Sequence, residues 1–99
     1  MKLFISQPMN GKTDAEIHCE RSRIIGEVAE NHLPEGEVLE IVDSFFKEGY
    51  KHPLTYLGKS IEKMAGADTA YFAKGWETAR GCKCENMIAK AYGLTIIEE

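Results

Sequence analysis

The sequence has little with which to staple or anchor itself. Its three cysteines, Cys19, Cys82 and Cys84, form an odd set with no C-x-x-C pair. That excludes a zinc ribbon and argues against a disulfide framework, so the cysteines read as free thiols in a reducing compartment. Of the three, Cys82 is expected to react fastest if it is exposed, because it opens a helix. A metal held by His18, Cys19, Cys82 and Cys84 is the minor alternative. There is no run of about 18 apolar residues, and residues 1–6 are too short for the apolar core of a secretory signal. The chain is therefore expected to be cytoplasmic and away from membranes. Basic residues are in deficit, 12 Lys and Arg against 16 Asp and Glu. At a net charge of -4 the chain repels duplex nucleic acid overall. Neither a Walker nor a Rossmann glycine pattern is present, and no cofactor is expected.

What is present is a chain of 99 residues, 43% of them hydrophobic and 28% charged, with no internal repeat or linker, so one domain is expected over 1–99. A domain of this size buries only about 60% of its unfolded surface or slightly more, so a homo-oligomer with an interface near its site is expected.

Local signals alternate between two periods. Lys2–Ser6 is a short apolar run suited to a buried strand, followed by the turn-rich Gln-Pro-Met-Asn-Gly. Thr13 and Glu16 form the N-cap and N3 of a capping box. The helix behind them carries Ile17, Ile24, Ile25, Val28 and Ala29 on one face as far as about residue 32, with Pro34 and Gly36 ending it. Residues 38–42 are β-branched and read as a second strand. The segment 43–53 is long for an α/β turn and rich in aromatics. Pro53 suits the first position of a helix with Leu54, Leu57, Ile61, Met64 and Ala65 on one face, stopped by Gly66. Thr69–Phe72 is a third strand and residues 94–97 a fourth.

Between those last two strands lies the stretch around which the rest is organised. A loop with Gly75 and Gly81 at its ends leads into a helix closed by Gly93, with apolar residues at 84, 87, 88, 91 and 92. Glu85 borders that stripe near the helix start. It reads either as a partly desolvated carboxylate poised for chemistry or as a helix-dipole glutamate, with equal weight.

The order β-α-β-α-β-α-β predicts an α/β fold of the flavodoxin-like three-layer kind, with a four-stranded parallel sheet in the order 2-1-3-4. Ligands of such sheets bind beyond the carboxyl ends of the strands where the winding reverses, which here brings residues 6–11 to residues 73–85. The amides around Asn10, Gly11, Gly81 and Cys82, with Arg80 nearby, suit an anion; ordinary turn and cap geometry explains Gly11 and Gly81 equally well. Tyr50, Tyr56 and Trp76 offer faces for a flat base, although core packing is the commoner use of such rings, and Phe45 and Phe46 are assigned to packing.

The run Tyr-Phe-Ala-Lys-Gly-Trp-Glu-Thr-Ala-Arg-Gly-Cys-Lys-Cys-Glu-Asn, with Ala-Lys-Ala-Tyr-Gly behind it, resembles the strand, loop and helical glutamate of the nucleoside 2-deoxyribosyltransferase superfamily. The opening Ile-Ser-Gln-Pro-Met-Asn-Gly, residues 5–11, resembles a small branch of that superfamily whose members begin Ile-Ser-Gln-Pro-Met-x-Gly. The resemblance implies a nucleoside or nucleotide ligand and makes Glu85 the nucleophile of a retaining cleavage or exchange at an N-glycosidic bond. The site is then assigned to residues 6–11, the 43–56 segment and residues 73–85, with the ligand on Ser6, Gln7, Pro8, Met9, Asn10, Gly11, Asp43, Tyr56, Ser60, Gly75, Trp76, Arg80, Gly81 and Cys82. Asp68, at the amino end of its strand, reads as structural, and Asn86 more simply as a cap or a surface residue than as a group that orients the site.

In two respects the chain departs from the transferases. Ser60 stands where they place a helical aspartate that serves the base, and the chain stops after its fourth strand, where larger members continue. Asp43 and Glu77 are the candidate replacement acids. A non-catalytic nucleotide-binding module and a ligand-free assembly protein are the competing readings.

Overall fold

The computed structural model describes residues 1–43, 49 and 52–99; Phe45, Phe46 and Tyr50 lie outside the described residues. The elements are β1 (Lys2–Ser6), α1 (Asp14–Asn31), β2 (Glu40–Val42), α2 (Pro53–Met64), β3 (Thr69–Phe72), a 3-10 turn (Trp76–Thr78), α3 (Arg80–Ala91) and β4 (Thr95–Glu98). The fold is α/β, with an all-parallel sheet in the order β2-β1-β3-β4. Leu3 lies opposite Ile41 on one side and Thr69 on the other, and Thr69 lies opposite Thr95.

The strands form because both faces of the central pair are covered. Leu3, Ile5, Tyr71 and Ala73 meet Ile24 and Val28 of α1 on one face. Phe4, Ala70 and Phe72 meet Met64 of α2 and Ala89 of α3 on the other. The alternation of side chains along β1 and β3 divides the core into these two halves. Every residue from Leu3 to Ser6 in β1 and every residue of β3 is buried, as expected for strands inside a parallel sheet.

Some boundaries and faces differ from the sequence-based expectation. β2 spans only three residues, and Val38 is 80% exposed, because β2 is an edge strand that pairs only with β1. Ala29 is exposed, while Arg21 joins Ile17, Ile24 and Val28 on the buried face of α1. In α2 only Met64 is buried; Leu57 and Ile61 are half-buried and Ala65 is exposed. The amino-terminal half of α2 is the wall of a crevice and not a core helix, which leaves Leu54 68% exposed.

The largest correction concerns α3. Its inward residues are Cys82, Glu85, Asn86 and Ala89, an i, i+3, i+4, i+7 set. Ile88 of the expected stripe is half-buried, as is Cys84, while Met87 and Tyr92 are strongly exposed. Polar residues occupy inward positions because each has a partner there. Ser6 Oγ donates to Glu85 Oε1 at 2.8 Å, and Asn86 Nδ2 donates to Glu98 Oε2 at 3.0 Å. Asn86 is thus an inward tie to β4 and neither a cap nor a surface residue.

Asp68 behaves as read. It accepts from the Lys2 amide at 3.0 Å and the Thr69 hydroxyl at 2.7 Å, joining β1 to β3 at the amino end of the sheet. The Lys2 bond, followed by that of Thr69, holds its carboxyl below the ordinary range.

Candidate functional site

β1 and β3 are neighbours whose following helices, α1 and α3, lie on opposite faces, so the sheet opens beyond their carboxyl ends. A crevice of about 1290 Å³ lies there, between the loop after β1, the first half of α2 and the start of α3. Of the residues assigned to a ligand from sequence, Ser6, Gln7, Pro8, Met9, Asn10, Tyr56, Ser60, Arg80, Gly81, Cys82 and Glu85 line it.

Gly11, Asp43, Gly75 and Trp76 are not among the lining residues. Gly11 and Gly75 have φ of +76° and +90°, so their part is to let the chain turn; a Cβ on Gly75 would also meet Pro8 Cγ at 3.5 Å. Asp43 lends its charge to Arg21 of α1, whose burial lowers its pKa while Asp43 raises it. Trp76 packs against Phe72 at 5.8 Å between ring centroids, with the Lys90 ammonium 5.6 Å above it, so it belongs to the core and not to a stacking surface. Glu77 is exposed and does not line the crevice either, so neither candidate acid stands among the described lining residues.

The floor of the crevice is a buried carboxylate. Glu85 is only 8% exposed, projecting from the second turn of α3 toward the end of β1. The Ser6 hydroxyl donates to one of its oxygens, and the Ser60 hydroxyl, from α2, is near enough to favour its charged form. Burial pushes the pKa of Glu85 up, and the two serine hydroxyls pull it back by solvating the ion. Ser60, at the position where the resembled transferases carry an acid, therefore stands beside the nucleophile candidate itself.

Cys82 sits beside this pair. It is buried, and its thiol is pushed up to about 11, chiefly by burial, with the charge of Glu85 adding to the rise against a lowering hydrogen bond from Ser6. The expected ranking of thiol reactivity is thereby corrected: its condition was exposure, and Cys19 is the exposed thiol. Among the described residues no three His, Cys, Asp or Glu side chains come together to hold a metal, and no helix is long and apolar enough to cross a membrane.

The loop from β1 is held rigidly. Gln7 is buried, and its Nε2 donates to the Ile17 carbonyl at 3.3 Å and to Glu20 Oε1 at 2.8 Å, while its Oε1 accepts from Arg21 at 3.4 Å. Its amide therefore ties the loop to α1 and is committed there. On the opposite wall α3 starts without a side-chain cap at Ala79, and its first backbone bond runs from Lys83 N–H to the Ala79 carbonyl. The amides of Arg80, Gly81 and Cys82 precede that bond, at the rim of the crevice.

His52 belongs to the 43–56 segment assigned to the site, although nothing in the sequence singles it out. It lines the crevice and caps α2, its Nδ1 accepting from the Leu54 amide at 3.1 Å. Histidine is not a strong capping signal in a sequence, so only the neighbouring Pro53 pointed to this helix start. Thr78 and Ala79 also line the site, within the 73–85 segment but without a motif of their own.

No curated protein and no solved structure matches the chain. Residues 1–98 match the model of the family described as "Domain of unknown function (DUF4406)", and the chain belongs to that family.

Proposed function

We propose that the crevice takes a nucleoside or nucleotide and that Glu85 attacks its anomeric carbon, cleaving or exchanging the N-glycosidic bond. One observation carries this reading: a carboxylate only 8% exposed forms the crevice floor, with the Ser6 hydroxyl donating to it and Ser60 beside it. A glutamate that merely complemented a helix dipole would face solvent. Here the desolvated oxygens gain nucleophilicity, and Ser6 and Ser60 fix their direction.

In the reaction a Glu85 oxygen bonds to the sugar carbon as the carbon–nitrogen bond breaks, and its electron pair leaves with the base. Water or a second base then displaces Glu85, so the anomeric configuration is retained over two steps. The uncapped amides at 80–82 and the Arg80 guanidinium suit a phosphate or sugar hydroxyl at the other wall.

The test is incubation with a panel of nucleosides and nucleotides, with released base measured by chromatography. Release that vanishes in Glu85→Gln supports the reading; no release from any member rejects turnover.

A second reading, binding without turnover, is favoured by one observation. Glu85 is the only carboxyl among the described lining residues, so no second acid is seen to serve the departing base. Saturable binding of a panel member without base release would establish it. Self-association near the crevice mouth belongs to either reading and is supported by the exposed Leu54 on its wall. A monodisperse species of 11.1 kDa in light scattering would reject it.

A further inference from the structure

His52, Tyr56 and Ser60 are spaced i, i+4, i+8 on α2 and its cap, and all three line the crevice. They form one stripe. Ser60 ends the stripe at the Glu85 carboxylate. His52 lies eight residues away, about 12 Å along the helix axis at 1.5 Å per residue. A ligand whose reacting carbon rests at Glu85, with its base laid along α2, passes Tyr56 and brings its far edge to His52.

The chemistry of that far end is fixed by the cap. Because Nδ1 of His52 accepts the Leu54 N–H, the neutral ring carries its proton on Nε2. Nε2–H is then a donor that cannot exchange roles with Nδ1 without breaking the helix cap. A donor of this kind pairs with a carbonyl oxygen and is mismatched against an amino group. Bases divide at that position: 6-oxopurines and 4-oxopyrimidines present an acceptor on the edge far from the sugar, and their 6-amino and 4-amino counterparts present a donor.

We infer that His52 is a specificity-determining residue that donates from Nε2 to the exocyclic carbonyl of an oxo base, so that the crevice prefers 6-oxopurine and 4-oxopyrimidine nucleosides over their amino counterparts. This rests on the nucleoside reading of the crevice. His52 makes no contact with the reacting atoms in this arrangement, so its effect falls on the choice of ligand.

Calorimetric titration of the full chain with inosine and adenosine, which differ at position 6 of the purine, tests it, and uridine against cytidine repeats the test on pyrimidines. Wild type is expected to bind each oxo member about tenfold tighter or better, the value of one well-placed hydrogen bond against an unpaired group. His52→Ser keeps a good N-cap, so the melting temperature holds while the preference collapses toward unity. His52→Asn, which caps through its oxygen and retains an N–H donor, recovers part of the preference. Equal binding of oxo and amino members by wild type, or an unchanged preference in His52→Ser, overturns the inference and leaves the nucleoside reading standing. Failure of all four nucleosides and of their 5′-monophosphates to bind overturns both.

Discussion

α1 and α3 pack on opposite faces of the same sheet and follow opposite rules. α1 starts with a complete capping box: the Thr13 hydroxyl accepts from the Glu16 amide at 3.2 Å, and Glu16 accepts from the Thr13 amide at 3.0 Å. Its inward stripe of Ile17, Ile24 and Val28 is apolar, and Arg21, the polar member, is tied to Gln7 and to the charge of Asp43. α3 starts uncapped at Ala79 and turns Cys82, Glu85 and Asn86 inward. A helix that serves only the fold has no reason to leave its first amides free and to bury a carboxylate. Where local rules are kept, the molecule is scaffold; where they are broken together, at one end of one helix, the crevice opens, at some cost in stability.

The contrast is broken most completely by Glu85→Gln. On the proposed function, in which Glu85 is the attacking group, the change is expected to lower base release by at least about 10³-fold, as for other covalent mechanisms. The melting temperature should rise. The native pKa of Glu85 lies above its unfolded value, so the folded state holds that proton more tightly. Above the ordinary carboxylate value of 4.5 the buried ion therefore costs stability, increasingly so until pH passes the raised native value. Glutamine removes that cost at neutral pH. The stability gap between variant and wild type should close as pH falls toward 4.5. A variant that melts lower at neutral pH, or a gap that widens on acidification, would refute a desolvated Glu85.

The cysteines sharpen the same comparison, since Cys19 is on α1 and Cys82 on α3. With its thiol pushed up to about 11, Cys82 is about one part in a thousand thiolate at pH 8. It is also buried. Iodoacetamide followed by peptide mass spectrometry should label Cys19 at least about a hundredfold faster. Comparable rates would mean that the start of α3 opens readily in solution.

Ser6→Ala loosens the site without touching Glu85 itself. Loss of a hydrogen bond to an ionised group costs about 1.5 to 3 kcal/mol, or roughly ten- to a hundredfold in rate. Because that bond favours the ion, its loss raises the pKa of Glu85 further, and the acidic limb of the pH–rate profile should move to higher pH. An unshifted limb would show that Ser6 positions nothing.

The scaffold was legible in the sequence because its residues obey rules that act locally. Thr13 with Glu16, Pro53 and the apolar β1 each specify their element within a few residues, and the sheet order follows from the alternation of elements. α3 was legible in extent but not in orientation. Hydrophobicity alone favours the stripe through Met87 and Tyr92, whereas the inward face is decided by partners distant in the chain, Ser6 for Glu85 and Glu98 for Asn86. The same limit hid the neighbour of Ser60, which lies 25 positions later, and the part played by His52, whose cap is made by a ring seldom used for capping. Trp76 was ambiguous because the same aromatic face serves a ligand or a core, and its contact with Phe72 decides the matter.

The smallest expected effects test whether the two helix starts differ for a reason. Ala79 already has the extended backbone of an N-cap, φ -90° and ψ 119°, so serine fits there without a shift in the chain. Its hydroxyl would accept from the amides that the crevice now presents. Ala79→Ser should therefore stabilise the fold by about 0.5 to 1 kcal/mol, and Thr13→Ala should destabilise it by about 1 kcal/mol. In a domain of this size 1 kcal/mol is worth roughly 4 to 8 °C in Tm, so both changes are measurable. Function should separate them in the opposite sense. Thr13 does not line the crevice, so Thr13→Ala should leave ligand affinity unchanged at a temperature where it is folded, whereas Ala79→Ser should weaken it because a side chain now occupies the amides offered to a ligand. If Ala79→Ser is both more stable and equally able to bind, the uncapped start of α3 contributes nothing to the site, and the difference between the two helices reduces to the buried carboxylate alone.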